Sequence, residues 1–245
     1  MKKALFISIA FICVLGSCTR PRPTEINSPD NTIKLAFYLN DSNQMAYHIT
    51  VNDTPFIAPS ILGFEARDGI NLSEDFHITR TDFDSKDEIW TQPWGENKSI
   101  RNHYNEMAVH LTDTKETLLT LRFRVFNDGI GFRYEYQVPD ADSLFITDEL
   151  TSFNIAQDGT SWSIPASFDT YELLYRTQPI SQIDNANTPM TFKTGNIYAS
   201  IHEAQNASLQ MQLLTEQIPD ANPITIGDLA VGVMELKAGN IEALA

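Results

Sequence analysis

The chain is short of most of the residues that make common chemistries legible. It has 2 cysteines in 245 residues, 17 Lys and Arg against 32 Asp and Glu, and 11 glycines. Cys13 falls inside an apolar stretch that follows Lys2 and Lys3, the pattern of an export leader. Cys18 closes the run Leu15-Gly16-Ser17-Cys18, which reads as a lipobox, where cleavage leaves an N-terminal cysteine for acylation. On that reading no thiol remains for a disulfide, a zinc site or a cysteine nucleophile. The alternative is a plain secretion signal with a chance cysteine. The one long apolar run, Ala4 to Gly16, is too short to span a bilayer as a stable helix. There is no Gly-rich phosphate loop, no His-x-x-x-His spacing and no Gly-x-Ser-x-Gly elbow.

The shortage of cations is itself informative. The formal charge is -15 at pH 7, and removing the leader takes away two more lysines and no acids. Such a field repels phosphate backbones and anionic headgroups, so nucleic acid is excluded and membrane contact is expected through the lipid alone. Neutral sugars and cations remain compatible partners. The expected address is the outer membrane of a bacterium, with the domain facing the periplasm.

What the chain does have is period-two alternation. Residues 18–31, with Pro21, Pro23 and Pro29, read as an extended tether after a leader at 1–17. From Thr32, Ile33, Leu35, Phe37 and Leu39 alternate with Lys34, Ala36 and Tyr38; Met45, Tyr47, Ile49 and Val51 repeat the pattern after the Asn40 to Asn43 turn. Leu121, Phe123 and Val125 face one way, Asn127-Asp128-Gly129 turns, and Ile130, Phe132, Tyr134 and Tyr136 continue. The solvent side of that hairpin offers Arg122, Arg124, Arg133 and Glu135, which cross-strand pairing explains. Further strands are expected at Met107 to Leu111, Leu144 to Thr147, Ile197 to His202 and Ser208 to Leu214, with at most one helical turn near Tyr171 to Tyr175. The expected fold is all-β, a large antiparallel β-sandwich of the supersandwich kind with few or no helices, spanning 32–214. The final stretch, 215–245, reads as a divergent tail: Ile224 to Ala245 has no aromatic residue, and a weak strand plus a frayed helix at Met234 to Lys237 and Ile241 to Leu244 is its best description.

Two places hold candidate chemistry. The segment Trp90 to Glu106 contains two of the three tryptophans, and Pro93 with Gly95 make it read as a shaped loop between strands. Trp90 and Trp94 are either plugs for the end of the sandwich core or a sugar-stacking platform with Glu96, Lys98 and Arg101 as hydrogen-bond partners. The second place is Glu203. The apolar residues Ile197, Ala199 and Ile201 are on odd positions, so the next pleat position aims Glu203 inward, where a carboxylate needs a partner; if the strand ends at His202, it turns to solvent instead. Glycoside hydrolysis needs two carboxylates flanking a sugar ring, and no such pair is legible among Glu96, Glu106, Glu135 and Glu172, so no catalytic residue is assigned.

Taken together, the Trp90 to Glu106 segment, the hairpin Phe123-Arg124-Val125-Phe126-Asn127-Asp128-Gly129-Ile130-Gly131-Phe132-Arg133-Tyr134-Glu135, the Leu62-Gly63-Phe64 run and Ile201-His202-Glu203-Ala204 resemble the N-terminal domain of glycoside hydrolase family 97, an α-glycosidase family of α-glucosidase and α-galactosidase type. The likeness covers roughly Ser28 to Leu213. It implies a β-supersandwich that packs against a catalytic (β/α) barrel, an α-linked oligosaccharide or glycan as the enzyme's substrate, and a calcium ion to which Glu203 contributes as one ligand of a site completed by the barrel. The family's catalytic glutamates belong to the barrel, so the chain by itself is expected to be a truncated, inactive piece; a free-standing glycan-binding lipoprotein and a structural lipoprotein fragment are the alternatives.

Overall fold

The computed structural model describes residues 23–67, 71–137, 145–167, 170 and 172–202, together with the backbone of 228–238. Sixteen strands account for nearly all of the regular structure in these residues. In chain order they are β1 (Thr24–Asn27), β2 (Ile33–Leu39), β3 (Met45–Val51), β4 (Thr54–Ile61), β5 (Phe64–Ala66), β6 (Asn71–Leu72), β7 (His77–Thr91), β8 (Ser99–Thr112), β9 (Leu118–Phe126), β10 (Gly129–Gln137), β11 (Ile146–Glu149), β12 (Thr160–Ser163), β13 (Arg176–Pro179), β14 (Met190–Thr194), β15 (Ile197–His202) and β16 (Asp228–Ala238). A 3-10 turn lies at Ile180–Gln182.

Alternation along the chain becomes layering in space. Strands β1 to β4 make a four-stranded meander in sequence order, and a nine-stranded sheet runs β13-β12-β14-β15-β16-β10-β9-β8-β7. All pairings are antiparallel. The inward residues of the meander, Leu35, Phe37, Tyr47 and Ile49, meet those of the large sheet, Leu121, Phe123, Phe132 and Tyr134, in one continuous core. Phe37 lies 5.9 Å from Phe123 and Tyr47 6.0 Å from Phe132, ring to ring. This is the sandwich that the sequence pattern calls for. A small sheet, β11-β5-β6, closes one side, with Phe64 edge-on to Tyr134 at 4.8 Å.

Two local devices fix the register. The β3 to β4 turn has Asn52 at φ 50 and Asp53 at φ 59, the paired left-handed conformation of a two-residue hairpin whose twist matches its strands. Gly63 has φ +135, and a Cβ there would lie 2.7 Å from the Ser73 Cα; its N–H donates to the Tyr134 hydroxyl at 3.0 Å. That hydroxyl also meets Thr151 Oγ1 at 2.8 Å, so Tyr134 ties the small sheet's connection to the core.

Several sequence expectations shift. Thr24–Asn27, within the stretch expected to be tether, pairs with β2 over its whole length. Trp90 to Glu106 is not a shaped loop between strands: β7 and β8 pair as far as Thr91 with Ser99, and Pro93 and Gly95 only shape the tip. The tail is not helical at Met234 to Lys237, because β16 inserts there between β10 and β15. The described part of the Tyr171 to Tyr175 segment has no helical turn. Cys18, Glu203 and the expected strand at Ser208 to Leu214 lie outside the described residues.

Candidate functional site

The β7 to β8 hairpin outruns its sheet. Strand β8 pairs with β9 only from Tyr104 with Phe126 onward, so Ser99 to His103 and their β7 partners form a two-stranded ribbon. Five residues at about 3.4 Å each give an overhang of about 17 Å. The ribbon tip is held by Gln92, whose N–H donates to Lys98 O at 3.1 Å and whose Nε2 donates to Asn97 O at 2.9 Å. Among the described residues the ribbon's large side chains stay wet: Trp94 is 84% exposed, Ile89 70% and Trp90 47%. The tryptophans are therefore not plugs of the sandwich core.

The pleat divides the candidate set. Trp94, Glu96 and Lys98 stand exposed at the tip. Trp90 pairs with Ile100, and Arg101 pairs with Ile89, so Trp90 and Arg101 project from opposite faces of the ribbon. Arg101 is committed: it forks onto Asp87 at 2.8 and 2.7 Å. The hydrogen bond from Arg101 holds the Asp87 carboxyl below its usual range.

Below the ribbon, the outer face of β7 to β10 has a network of charges, as cross-strand pairing implies. Arg122 donates to Glu106 at 2.6 Å and to Glu135 at 2.9 Å; Arg124 donates to Glu106 at 2.6 Å, and Arg133 to Glu135 at 2.8 Å. Burial pushes the pKa of both carboxyls up, and the arginine hydrogen bonds outweigh it, so the net shift of both is downward. A general acid for glycoside cleavage needs the opposite shift. Glu106 and Glu135 therefore serve as anchors of the sheet face.

A second chain of contacts was not legible in the sequence. A bulge between Ile78 and Arg80 on β7 places Arg80 opposite His110. Asp82 Oδ2 then lies 2.7 Å from Arg80 and 2.9 Å from His110 Nε2, while Thr120 Oγ1 lies 3.0 Å from His110 Nδ1. The bulge decides which residues meet, and alternation alone does not locate a bulge. Trp162, the third tryptophan, also escaped notice, since only serines flank it; its ring stacks near-parallel on Tyr198 at 6.2 Å, with Lys193 Nζ 4.9 Å from the Tyr198 centroid. Among the described residues, no group of three or more His, Cys, Asp or Glu side chains is placed to hold a metal.

The sequence matches the family model Glycosyl-hydrolase 97 N-terminal over residues 26–230. The chain belongs to the glycosyl-hydrolase 97 N-terminal family. It is 25% identical over 193 residues to a retaining alpha-galactosidase of Bacteroides thetaiotaomicron, covering 75% of this chain and 28% of that protein. Structures of a glycoside hydrolase family 97 enzyme from a Pseudoalteromonas species, in complex with panose and with acarbose, are similar at a TM-score of 0.76 and 28% identity, covering 87% of this chain and 35% of theirs. A beta-arabinopyranosidase, at 19% identity and a TM-score of 0.74, shares the fold. This family 97 N-terminal chain thus spans about a third of the length of these relatives.

Proposed function

We propose that this chain is the carbohydrate-associated N-terminal β-sandwich of a family 97 α-glycosidase, without catalytic activity of its own, and that its ribbon tip presents Trp94, flanked by Glu96 and Lys98, to an α-linked glycan. The observation that carries this reading is an indole 84% exposed at the end of a ribbon that overhangs its sheet. Exposing so much apolar surface opposes folding, and an indole with a free face suits an amphipathic ring. The panose and acarbose complexes of the Pseudoalteromonas relative support a glycan as the partner of the whole enzyme. A β-sandwich supplies the scaffold, and the acid and base of hydrolysis belong to the barrel that such enzymes carry.

The same reading assigns Glu203 as one ligand of a calcium ion shared with that barrel, and Cys18 as the site of a lipid anchor. Buried Ala199 and Ile201 on β15 support the inward aim of the next alternate position. Calcium takes six to eight oxygens and a glutamate supplies at most two, so the isolated chain binds it weakly.

Two assays test the reading together. The purified chain is expected to release no aryl alcohol from aryl α-glucosides or α-galactosides; turnover abolished by Glu106→Gln would put an active site on the sheet face. Its melting temperature is expected to be the same in calcium and in chelator, with Glu203→Gln leaving stability unchanged or raising it by on the order of 1 kcal/mol. A calcium-dependent rise lost in Glu203→Gln would mean a complete metal site within this domain.

A further inference from the structure

At the end of the sandwich where the β3 to β4 turn faces the β14 to β15 turn, a half-open cleft of about 230 Å³ has no charged residue among the described residues that line it. That is unusual in a chain whose residues are 20% charged. Asp53, on the same turn as Asn52, lies 3.8 Å from Lys34. The floor is apolar: Phe56 and Val51 are buried, and Ile197 is half-buried beside them. Phe56 is held flat by stacking on Phe192 at 6.0 Å. Around the rim stand the side-chain amides of Asn52, Gln157 and Asn196, which make no side-chain hydrogen bond among the described residues.

Each amide offers one carbonyl acceptor and two N–H donors. The backbones beneath them are fixed. Asn52 N–H donates to Thr32 O at 2.8 Å, and Thr194 Oγ1 donates to the Gln157 carbonyl at 3.1 Å. The cleft therefore presents neutral donors and acceptors, carried on fixed backbones, over an apolar floor. Among the described lining residues a phosphate or carboxylate finds no cation, and a metal ion finds no carboxylate. At about 30 Å³ per water, the space equals roughly eight waters, room for one six-membered ring and its substituents.

We infer that this cleft is a subsite for a single neutral, hydroxyl-rich ring, a monosaccharide unit whose C–H face rests on Pro55 and Ile197 while its hydroxyls exchange hydrogen bonds with Asn52, Gln157 and Asn196. The ribbon tip belongs to the far edge of the nine-stranded order. β15 and β7 are five strand spacings apart, about 24 Å at about 4.8 Å each, so the two glycan contacts are separate and one does not require the other. A ligand of this size with three amide partners is expected to bind with a Kd on the order of a millimolar.

The test is an amide-detected NMR titration of the purified chain with methyl α-glucopyranoside and methyl α-galactopyranoside, with glucose 6-phosphate as the charged control. Saturable shifts are expected at the side-chain amides of Asn52, Gln157 and Asn196; the binding read at Asn52 is weakened at least about fivefold in the double variant Gln157→Ala/Asn196→Ala and is unchanged in Trp94→Ala. Both substituted residues are exposed, and an unchanged melting temperature would show that the fold survives. The inference is overturned if neither glycoside gives a saturable shift at roughly a hundred times the expected Kd, if the shifts persist in the double variant, or if the phosphate ester binds as well as the neutral sugars. Loss in Trp94→Ala alone would also overturn it, while leaving the ribbon reading intact.

Discussion

Replacing Arg122 with alanine should be the most costly change on the outer face of the large sheet. The Arg122 side chain is 25% exposed, and it bridges Glu106, at 12%, and Glu135, at 23%. Each carboxylate keeps one other arginine, Arg124 for Glu106 and Arg133 for Glu135, so neither becomes a lone buried charge and the full penalty of about 3–5 kcal/mol does not apply. Hydrogen bonds between charged groups contribute about 1.5–3 kcal/mol when buried, and exposed pairs at most about 1. Two bridges at this intermediate exposure give about 2 kcal/mol for Arg122→Ala at neutral pH. The effect has a pH signature. Both carboxyls titrate lower in the folded state than their ordinary value of 4.5. Their contribution is therefore fully present above that value and is lost as pH falls through the lower folded-state pKa. Urea denaturation of both proteins at neutral pH and at pH values stepped down below 4.5 measures it. A difference of about 2 kcal/mol that shrinks with acid supports the network; a difference that is negligible at neutral pH, or independent of pH, refutes it.

Five further substitutions probe particular contacts. Trp94→Ala should change stability by less than about 0.5 kcal/mol and Trp90→Ala by about 1, measured by thermal melts; losses of about 3–5 kcal/mol would return both indoles to the core. Tyr134→Phe should cost about 1–3 kcal/mol, because it leaves the Gly63 N–H without its acceptor beside a buried core; an unchanged denaturation midpoint would show that the hydroxyl contributes nothing. Gly63→Ala combines a φ of +135 with a contact of 2.7 Å to the Ser73 Cα, and should lower the denaturation midpoint more than Gly195→Ala, whose φ is +56 and whose Cβ would meet nothing within 4 Å; the reverse order would contradict the close approach.

The alternating strands were legible because each of their faces meets a different medium. The core hairpin has one dry side and one wetter side, and Leu121 to Tyr136 carry that pattern along both strands; the meander carries it less strictly, since Ala36 and Ala46 on its outer side are buried too. Strand β7 does not. Nearly all of it is exposed, since the meander stops short of it, and with both faces wet no apolar alternation is required. Its continuation was hidden for the same reason: Pro93 and Gly95 sit in a turn only a few residues long, yet their presence made the whole segment read as loop. Whether an indole is buried depends on which element covers it, and Trp90 and Trp94 carry no mark of that in their neighbours. β16 was obscure because its pairing with β10 and β15 joins segments far apart in the chain. The fold class and the family resemblance were readable; the ribbon, the bulge-dependent Arg80–Asp82–His110 contacts and the uncharged cleft depend on register and on turns meeting in space.

The central claim is that this family 97 N-terminal domain touches an α-linked glycan through its ribbon tip, and a titration with panose followed by tryptophan fluorescence tests it most directly. The account predicts a saturable change in emission for the wild-type chain that disappears in Trp94→Ala and survives in Trp162→Phe, since Trp162 is packed on Tyr198. Binding that is absent from the wild type, or that persists undiminished in Trp94→Ala, would contradict it.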